Sequence, residues 1–253
     1  MRELTKEEIR AEQIQLLKTF DDFCKEKGVE YFLAYGTLLG AVRHQGFIPW
    51  DNDIDIFIFR DQAEKLLASV DPDSKFDVGT RPHYDDGVVS RVYFNDTTRV
   101  GEDGNHGIYL DGFILDNMPS TKLDAVKKEI FHRILMAKSI RVSDAKNTVN
   151  RIGVAGLKVL TCWLPKKFVV KQFNKWLTKK YDTSMVCILR TPYCIPGYNK
   201  SIFEKAAYLP FEGHDFPVPA GYVEFLETTY GDYMTPPPVE KRTKVVGKVW
   251  EID

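Results

Sequence analysis

The chain has little net charge: 35 Lys and Arg against 36 Asp and Glu leave −1 at neutral pH. That balance argues against a general nucleic-acid binder, which is usually basic overall. Cysteine is scarce, and Cys24, Cys162, Cys187 and Cys194 include no C-x-x-C pair. Neither a zinc ribbon nor a thioredoxin-type redox site is therefore expected, and the thiols are expected to be reduced and mostly buried. No stretch approaches the roughly 18 consecutive apolar residues of a membrane span. The opening residues, Met1 to Glu8, lack the apolar h-region of a secretory signal, so a cytoplasmic protein is expected. Internal repeats and low-complexity tracts are also missing. What remains, 43% apolar and 13% aromatic in 253 residues, is the composition of an ordinary globular protein. A chain of this length buries a core without disulfide or metal staples.

The spacing of apolar residues organises the chain. Thr5 and Glu8 stand at capping-box distance, with Leu4 placed as a staple. Ile9, Leu16, Leu17, Phe20, Phe23 and Cys24 follow at helical spacing, and Gly28 is a candidate stop. Tyr31–Tyr35 reads as a short buried strand running into Gly36 and a short helix. Strands are expected at Asp53–Phe59, Gly87–Phe94 and Ile108–Leu115, a helix at Asp61–Val70, and a polar, Gly-rich loop at 96–107. Helices are expected to dominate from Thr121 to about Tyr181. The Pro-rich final seventy residues read as irregular, with one helical patch at Tyr222–Tyr230. Interleaved strands and helices favour an α/β or α+β core.

The segment that carries chemistry is Trp50-Asp51-Asn52-Asp53-Ile54-Asp55-Ile56-Phe57-Ile58. Side chains alternate along a strand, so Asp51, Asp53 and Asp55 share one face if the strand begins that early, with Ile54, Ile56 and Ile58 on the other. Carboxylates crowded on one face repel unless a cation lies between them. An all-oxygen set of this kind suits Mg²⁺ or Mn²⁺, which bind through a few carboxylates plus substrate phosphates. The bland alternative is a solvated acidic strand end. A Gly-Thr turn directly after another strand, upstream at Gly36-Thr37, favours the metal reading, because N–H groups at a helix start receive phosphate oxygens. A later carboxylate is needed; Asp111 is the first candidate. Asp116 is the second, although it is also placed to cap the following helix.

Residues Tyr35 to Asp55, YGTLLGAVRHQGFIPWDNDID, strongly resemble the signature of the LicD family, shared in outline with fukutin and fukutin-related protein. Arg91-Val92-Tyr93-Phe94-Asn95-Asp96-Thr97, Tyr109 to Asp116, and the tail from Leu209-Pro210-Phe211-Glu212-Gly213 through Tyr230–Met234 to Pro238 are similar to further motifs of that family. The resemblance covers about residues 10–120 and 205–245. Asn52 stands where many relatives carry Asp, and Gly112 and Ile114 depart from the usual residues beside Asp111. The resemblance implies an α+β fold with a nucleotidyltransferase-type mixed β-sheet core flanked by helices. The core would span 1–120, a helical basic appendage 121–205, and a segment packing back on the core 206–253.

It further implies a phosphotransferase that moves a phospho-alcohol, phosphocholine foremost, from a CDP-alcohol to a hydroxyl of a cell-surface glycan or teichoic acid precursor, releasing CMP. Asp53, Asp55 and Asp111 would hold Mg²⁺ (or Mn²⁺), and Asp111 is placed to accept the attacking hydroxyl's proton. Gly36 and Thr37 would cradle the diphosphate, and Arg43 and Arg91 would pair with it. His44 is weighed as a base against a role shaping the turn, and His106 as a substrate contact. His83, His132 and His214 are expected to do nothing chemical. Pro49-Trp50 is expected to anchor the turn. Residues 230–234 are expected to form a packed clamp, with Lys241 and Arg242 as further phosphate candidates. A nucleotidyltransferase and an inactive glycan- or nucleotide-binding homologue are the rival readings.

The near-neutral total hides an asymmetry. Nine of the 35 cations lie between Lys146 and Lys180, with no acid from Ala145 to Tyr181, so the rest of the chain carries 26 cations against 36 acids. Pro165 divides this stretch into two helical pieces. The second, with Phe168 or Val169, Phe173 and Trp176 or Leu177 on one face and Lys171, Lys175 and Lys179 on another, is a candidate for an anionic membrane surface. That would place the enzyme at the inner face of the plasma membrane. A solvated helix packed on the core, or a grip on a polyanionic acceptor, explains the same pattern.

Overall fold

A computed structural model describes residues 2–51, 53–69, 76–82, 89–96, 99–101, 108–139, 141–144, 148–177, 179, 181–188, 197–242 and 249–251. The chain forms β1 (Arg2–Glu3), α1 (Lys6–Lys27), β2 (Phe32–Leu33), α2 (Tyr35–His44), β3 (Ile54–Phe59) and α3 (Arg60–Ala68). Next come β4 (Phe76–Pro82), β5 (Val89–Asp96), β6 (Arg99–Gly101), β7 (Tyr109–Asn117), α4 (Lys122–Ser139), α5 (Thr148–Leu160) and α6 (Lys166–Leu177). The last elements are β8 (Met185–Ile188), β9 (Tyr198–Asn199), β10 (Ala206–Phe211), β11 (His214–Pro219), α7 (Tyr222–Tyr230) and β12 (Val249–Glu251).

Local chemistry sets several of these boundaries. Thr5 and Glu8 close a capping box: the Glu8 amide donates to Thr5 Oγ1 at 3.2 Å and the Thr5 amide to Glu8 Oε2 at 2.8 Å. The Thr5 amide, the Arg2 guanidinium and the Thr5 hydroxyl hold the Glu8 carboxyl down to about 2. Gly28 ends the helix at φ 63°, which a glycine adopts without a Cβ penalty. Pro165 separates α5 from α6, and α7 has the bounds expected from its pattern.

The principal sheet runs β2-β3-β7-β5-β4, and β8 joins β7 and carries β9. β3 and β7 are parallel; the other pairs are antiparallel. β3 is buried on both faces, with Ile54, Ile56 and Ile58 on one side and Phe57 on the other. It is therefore a central strand and not a wet edge. β1, β12 and β6 form a second sheet that joins the two ends of the described chain. One apolar cluster unites α1, β2, β3 and β7 with Phe211, Phe216, Phe225 and Leu226 from the C-terminal segment. Ile134, Leu135, Val169, Phe173 and Cys187 form a separate, smaller cluster between α4, α6 and β8.

The structure corrects two expectations. The β10–β11 hairpin occupies a stretch expected to be irregular, because Pro210, Pro217 and Pro219 sit in an isolated two-stranded ribbon where a missing N–H need not cost a ladder bond. Its two-residue turn, Glu212-Gly213, has φ 50° and 79°. Both central residues of a type I′ turn require positive φ, and Glu at the first is an unusual choice. The strand expected at 31–35 shrinks to Phe32–Leu33, and Tyr35 opens α2 instead. The described cysteines are free and mostly buried, as expected: Cys24 and Cys187 are buried and Cys162 is exposed. The helix with the buried apolar face is α6, through Val169 and Phe173, while α5 leaves Ile152, Val159 and Leu160 exposed. Cys194, His83, His106, Asn52, Lys146 and Lys180 lie outside the described residues.

Asp116 caps no helix. Its carboxylate takes a bidentate pair from Arg60 at the start of α3, Nε to Oδ1 at 2.5 Å and Nη2 to Oδ2 at 2.7 Å. Both side chains are largely buried, so removing one takes a bidentate partner from a buried charge. Asp116→Asn is expected to lower unfolding free energy by about 3 kcal/mol in urea denaturation. A change below about 1 kcal/mol would remove Asp116 from its structural role.

Candidate active site

The site is built where α2 begins beside the start of β3. Ala34 is the extended N-cap of α2 and makes no side-chain cap. Its own amide donates to the Asp55 carbonyl at 2.9 Å, tying the helix start to the strand. Tyr35 then takes φ 40°, a left-handed conformation rare outside glycine. Its ring is held by edge-on contacts with Phe57, Phe113 and Phe225 at 5.1, 4.9 and 5.9 Å. First-turn N–H groups of a helix have no intrahelical acceptor and favour negative charge.

Thr37 and Gly36 have distinct surroundings. Thr37 is buried, and its hydroxyl accepts from the Asp55 amide at 2.9 Å, fixing the strand residue that carries the carboxylate. Asp51 lies in a turn, its amide donating to the Ile48 carbonyl at 2.9 Å, and not in the strand. Its carboxylate is pressed against Gly36, where any Cβ would overlap it. The alternation expected through Asp51, Asp53 and Asp55 therefore stops short, because β3 starts at Ile54. Asp51 faces the positive end of the α2 dipole instead.

Asp55 and Asp111 are register partners on the parallel strands β3 and β7, so they stand side by side on one sheet face. Asp111 is buried, Asp55 half-buried, and Asp53, just before the strand, exposed. Asp116, five residues beyond Asp111, is on the opposite face by the period of two. Among the described residues no three His, Cys, Asp or Glu side chains are already gathered closely enough to hold an ion. The donor set is nonetheless chemically suited to a hard divalent cation. Two adjacent carboxylates supply oxygen ligands and excess negative charge, and an ion of the Mg²⁺ class fills the rest of its shell with water and substrate oxygens.

The C-terminal segment packs against the last turn of α2 and the signature turn that follows it. Arg43 Nη1 donates to the Tyr233 carbonyl at 2.8 Å, and Nε reaches His44 Nδ1 at 3.4 Å. The Arg242 guanidinium stacks 4.2 Å above the Trp50 ring and donates to the Pro237 carbonyl at 3.0 Å. Burial, then the neighbouring charge of Arg242, push the Arg43 pKa down. Two arginines thus converge beside the signature turn. His44 meets Trp50 edge-on at 6.4 Å, and burial and then the charge of Arg43 push its pKa down, favouring the neutral imidazole. Arg91 lies on β5 opposite Phe113, two positions from the Tyr93–Asp111 pair; its side chain is outside the described residues. A cavity of about 220 Å³ lined by Phe59, Asp61, Lys200 and Phe203 opens at the far end of β3 and takes no part.

Residues to which no site role was assigned from the sequence brace the turn. Glu212, in the hairpin turn, accepts from the Phe47 amide at 2.9 Å while its own amide donates to the Gln45 carbonyl at 2.9 Å. Lys6 and Arg10 donate from α1 to the carbonyls of Pro49 and Ile48 at 3.1 and 3.3 Å. Lys6 and Arg10 are one helical turn apart, the spacing of one face, but only the fold reveals what that face meets.

Residues 28–140 match the family described as LicD/FKTN/FKRP, nucleotidyltransferase domain. The lipopolysaccharide cholinephosphotransferase LicD of Haemophilus influenzae is 30% identical over 265 residues, covering 95% of each chain. The ribitol 5-phosphate transferase FKRP of Homo sapiens is 56% identical over 32 residues, 13% of this chain and 6% of that protein. The protein RP689 of Rickettsia prowazekii is 47% identical over 52 residues, 21% of this chain and 20% of its own.

Gly40 allows the signature turn to fold back on α2: a Cβ there would drive into the Gly46 carbonyl, a backbone atom that cannot swing aside. Gly40→Ala is expected to lower stability by about 1–3 kcal/mol in denaturant titration. Gly36→Ala, which meets only the movable Asp51 carboxylate, is expected to cost less. Equal losses would contradict the close backbone approach at Gly40.

Proposed function

The chain belongs to the LicD family, and from that footing we propose that it transfers a phospho-alcohol from a CDP-alcohol to a hydroxyl of a glycan or teichoic acid precursor, with release of CMP. Phosphocholine is the favoured group and CDP-choline the favoured donor, because similarity to the cholinephosphotransferase runs over 95% of both chains. The structural observation that carries the reading is the register pairing of Asp55 with Asp111 beside the start of α2.

In this reading Asp53, Asp55 and Asp111 hold Mg²⁺, or Mn²⁺, which neutralises charge building on the transferred phosphoryl group. The α2 terminus at Gly36 and Thr37 receives diphosphate oxygens. Arg43 and Arg91 pair with the diphosphate, and Arg242, brought beside Arg43 by the tail, joins them. The acceptor oxygen forms a bond to the phosphorus bearing the alcohol, and the bond from that phosphorus to the CMP oxygen breaks. Asp111 takes the acceptor's proton. His44, engaged with Arg43, shapes the turn. Thr37 keeps Asp55 in place through the 2.9 Å bond to its amide.

A panel of CDP-choline, CDP-ribitol and CDP-glycerol with Mg²⁺ tests the reading through the released product. CMP is expected, most from CDP-choline, with loss on chelation and recovery on adding Mg²⁺. Asp53→Asn and Asp55→Asn are each expected to reduce turnover roughly 100-fold or more at unchanged melting temperature. Pyrophosphate in place of CMP would identify nucleotide transfer instead. Undiminished turnover in both variants would remove the carboxylates from the chemistry.

A further inference from the structure

The proposed transfer chemistry leaves one surface unused. On α5 and the turn after it, Ile152, Val159, Leu160 and Trp163 are 69, 72, 72 and 74% exposed. Gly153 and Gly156 lie among them, and a Cβ built on either meets nothing within 4 Å. At 3.6 residues per turn the five positions on α5 fall within about 120° of the helix circumference, and Trp163 follows in the turn. An apolar stripe of that width ordinarily faces a core. Here it faces outward, because α5 turns Val154, Ala155 and Leu157 inward. Trp163 Nε1 already donates to the Leu160 carbonyl at 3.0 Å. Its polar atom is satisfied locally, and the ring presents an apolar surface.

Within α5, α6 and the turn between them the charge has one sign. From Thr148 to Leu177 the chain holds Arg151, Lys158, Lys166, Lys167, Lys171 and Lys175 and no acid; all but the half-buried Lys158 are exposed. A second copy of the chain would bring the same cations against themselves in a two-fold contact, a like-charge cost. An anionic lipid surface satisfies both features, taking the apolar residues below its headgroups and pairing the cations with its phosphates. α5 has thirteen residues, about 20 Å of helix against a hydrocarbon core of about 30 Å, so it is suited to lie along a bilayer and not to cross it. Among the described residues no helix is long and apolar enough to span a membrane.

We propose that α5 and Trp163 form a docking face for an anionic lipid bilayer, with the stripe Ile152–Gly156–Val159–Leu160–Trp163 entering the interface and the cations of α5 and α6 gripping lipid phosphate. This moves the membrane contact from the helix whose spacing suggested it, α6, to the helix whose apolar face is uncovered. It does not depend on the reaction assigned above, since binding is read without turnover.

Co-sedimentation of the full chain with vesicles tests it, using phosphatidylcholine alone and an equal mixture of phosphatidylcholine and phosphatidylglycerol. The protein is expected to sediment with the mixed vesicles, weakly with phosphatidylcholine, and less as salt rises. The exposed triple variant Val159→Ser, Leu160→Ser, Trp163→Ser is expected to keep its melting temperature and lose roughly tenfold or more in partitioning. Emission of Trp163, followed against Trp163→Phe, is expected to shift blue on the mixed vesicles. Equal binding by wild type and triple variant, or no binding at low salt, would overturn the proposal. So would a wild-type dimer that the triple variant converts to monomer in analytical ultracentrifugation.

Discussion

Parallel pairing of β3 with β7 puts Asp55 and Asp111 in register, two carboxylates on adjacent strands of one sheet face. Like charges so placed disfavour their joint ionisation unless something positive intervenes. The surrounding structure holds that arrangement in place. Thr37 fixes the Asp55 amide, Ala34 reaches the Asp55 carbonyl, and Tyr35 accepts a left-handed backbone to begin α2 at that point. Strain at such a position persists only where packing over-determines it, and three aromatic rings around Tyr35 supply that packing.

The opposite sign arrives from far along the chain. Arg43 is local to the signature turn, whereas Arg242 reaches it from the C-terminal segment by stacking on Trp50. The Tyr233 carbonyl, accepting from Arg43, and Glu212, through its carboxylate and its amide, tie the same segment to the turn. An acidic sheet face and a helix N-terminus thus lie at the start of β3, and two arginines meet beside the turn that leads into it. A phosphate ester carrying a divalent cation offers the matching pattern of charge, and the proposed phospho-alcohol transfer uses it.

Local elements were legible from residue order because their causes are local. The Thr5–Glu8 box, the Gly28 stop, the Ile54–Ile56–Ile58 alternation and the Pro165 break each depend on near neighbours. The hairpin was hidden by prolines that an isolated ribbon tolerates and by a Glu-Gly turn without the usual Asn or Asp. Periodicity revealed two amphipathic helices at 148–177 but not which stripe would find a partner; contact with α4 decides that for α6. Asp51 was misplaced because the Ile48 carbonyl captures its amide before the strand starts. The odd spacing of Asp111 and Asp116 already put them on opposite faces, but only register with β3 tells which one neighbours Asp55, and only Arg60 shows what the other does.

The central claim is that the Asp55–Asp111 pair holds a divalent cation. Titration of the protein with Mn²⁺, followed by the loss of the free-ion electron paramagnetic resonance signal, measures it without turnover. The account predicts Mn²⁺ binding by the wild type that Mg²⁺ displaces and that Asp55→Asn and Asp111→Asn each abolish, while Asp116→Asn, if folded, retains it. Binding that survives both Asp55→Asn and Asp111→Asn would contradict the account.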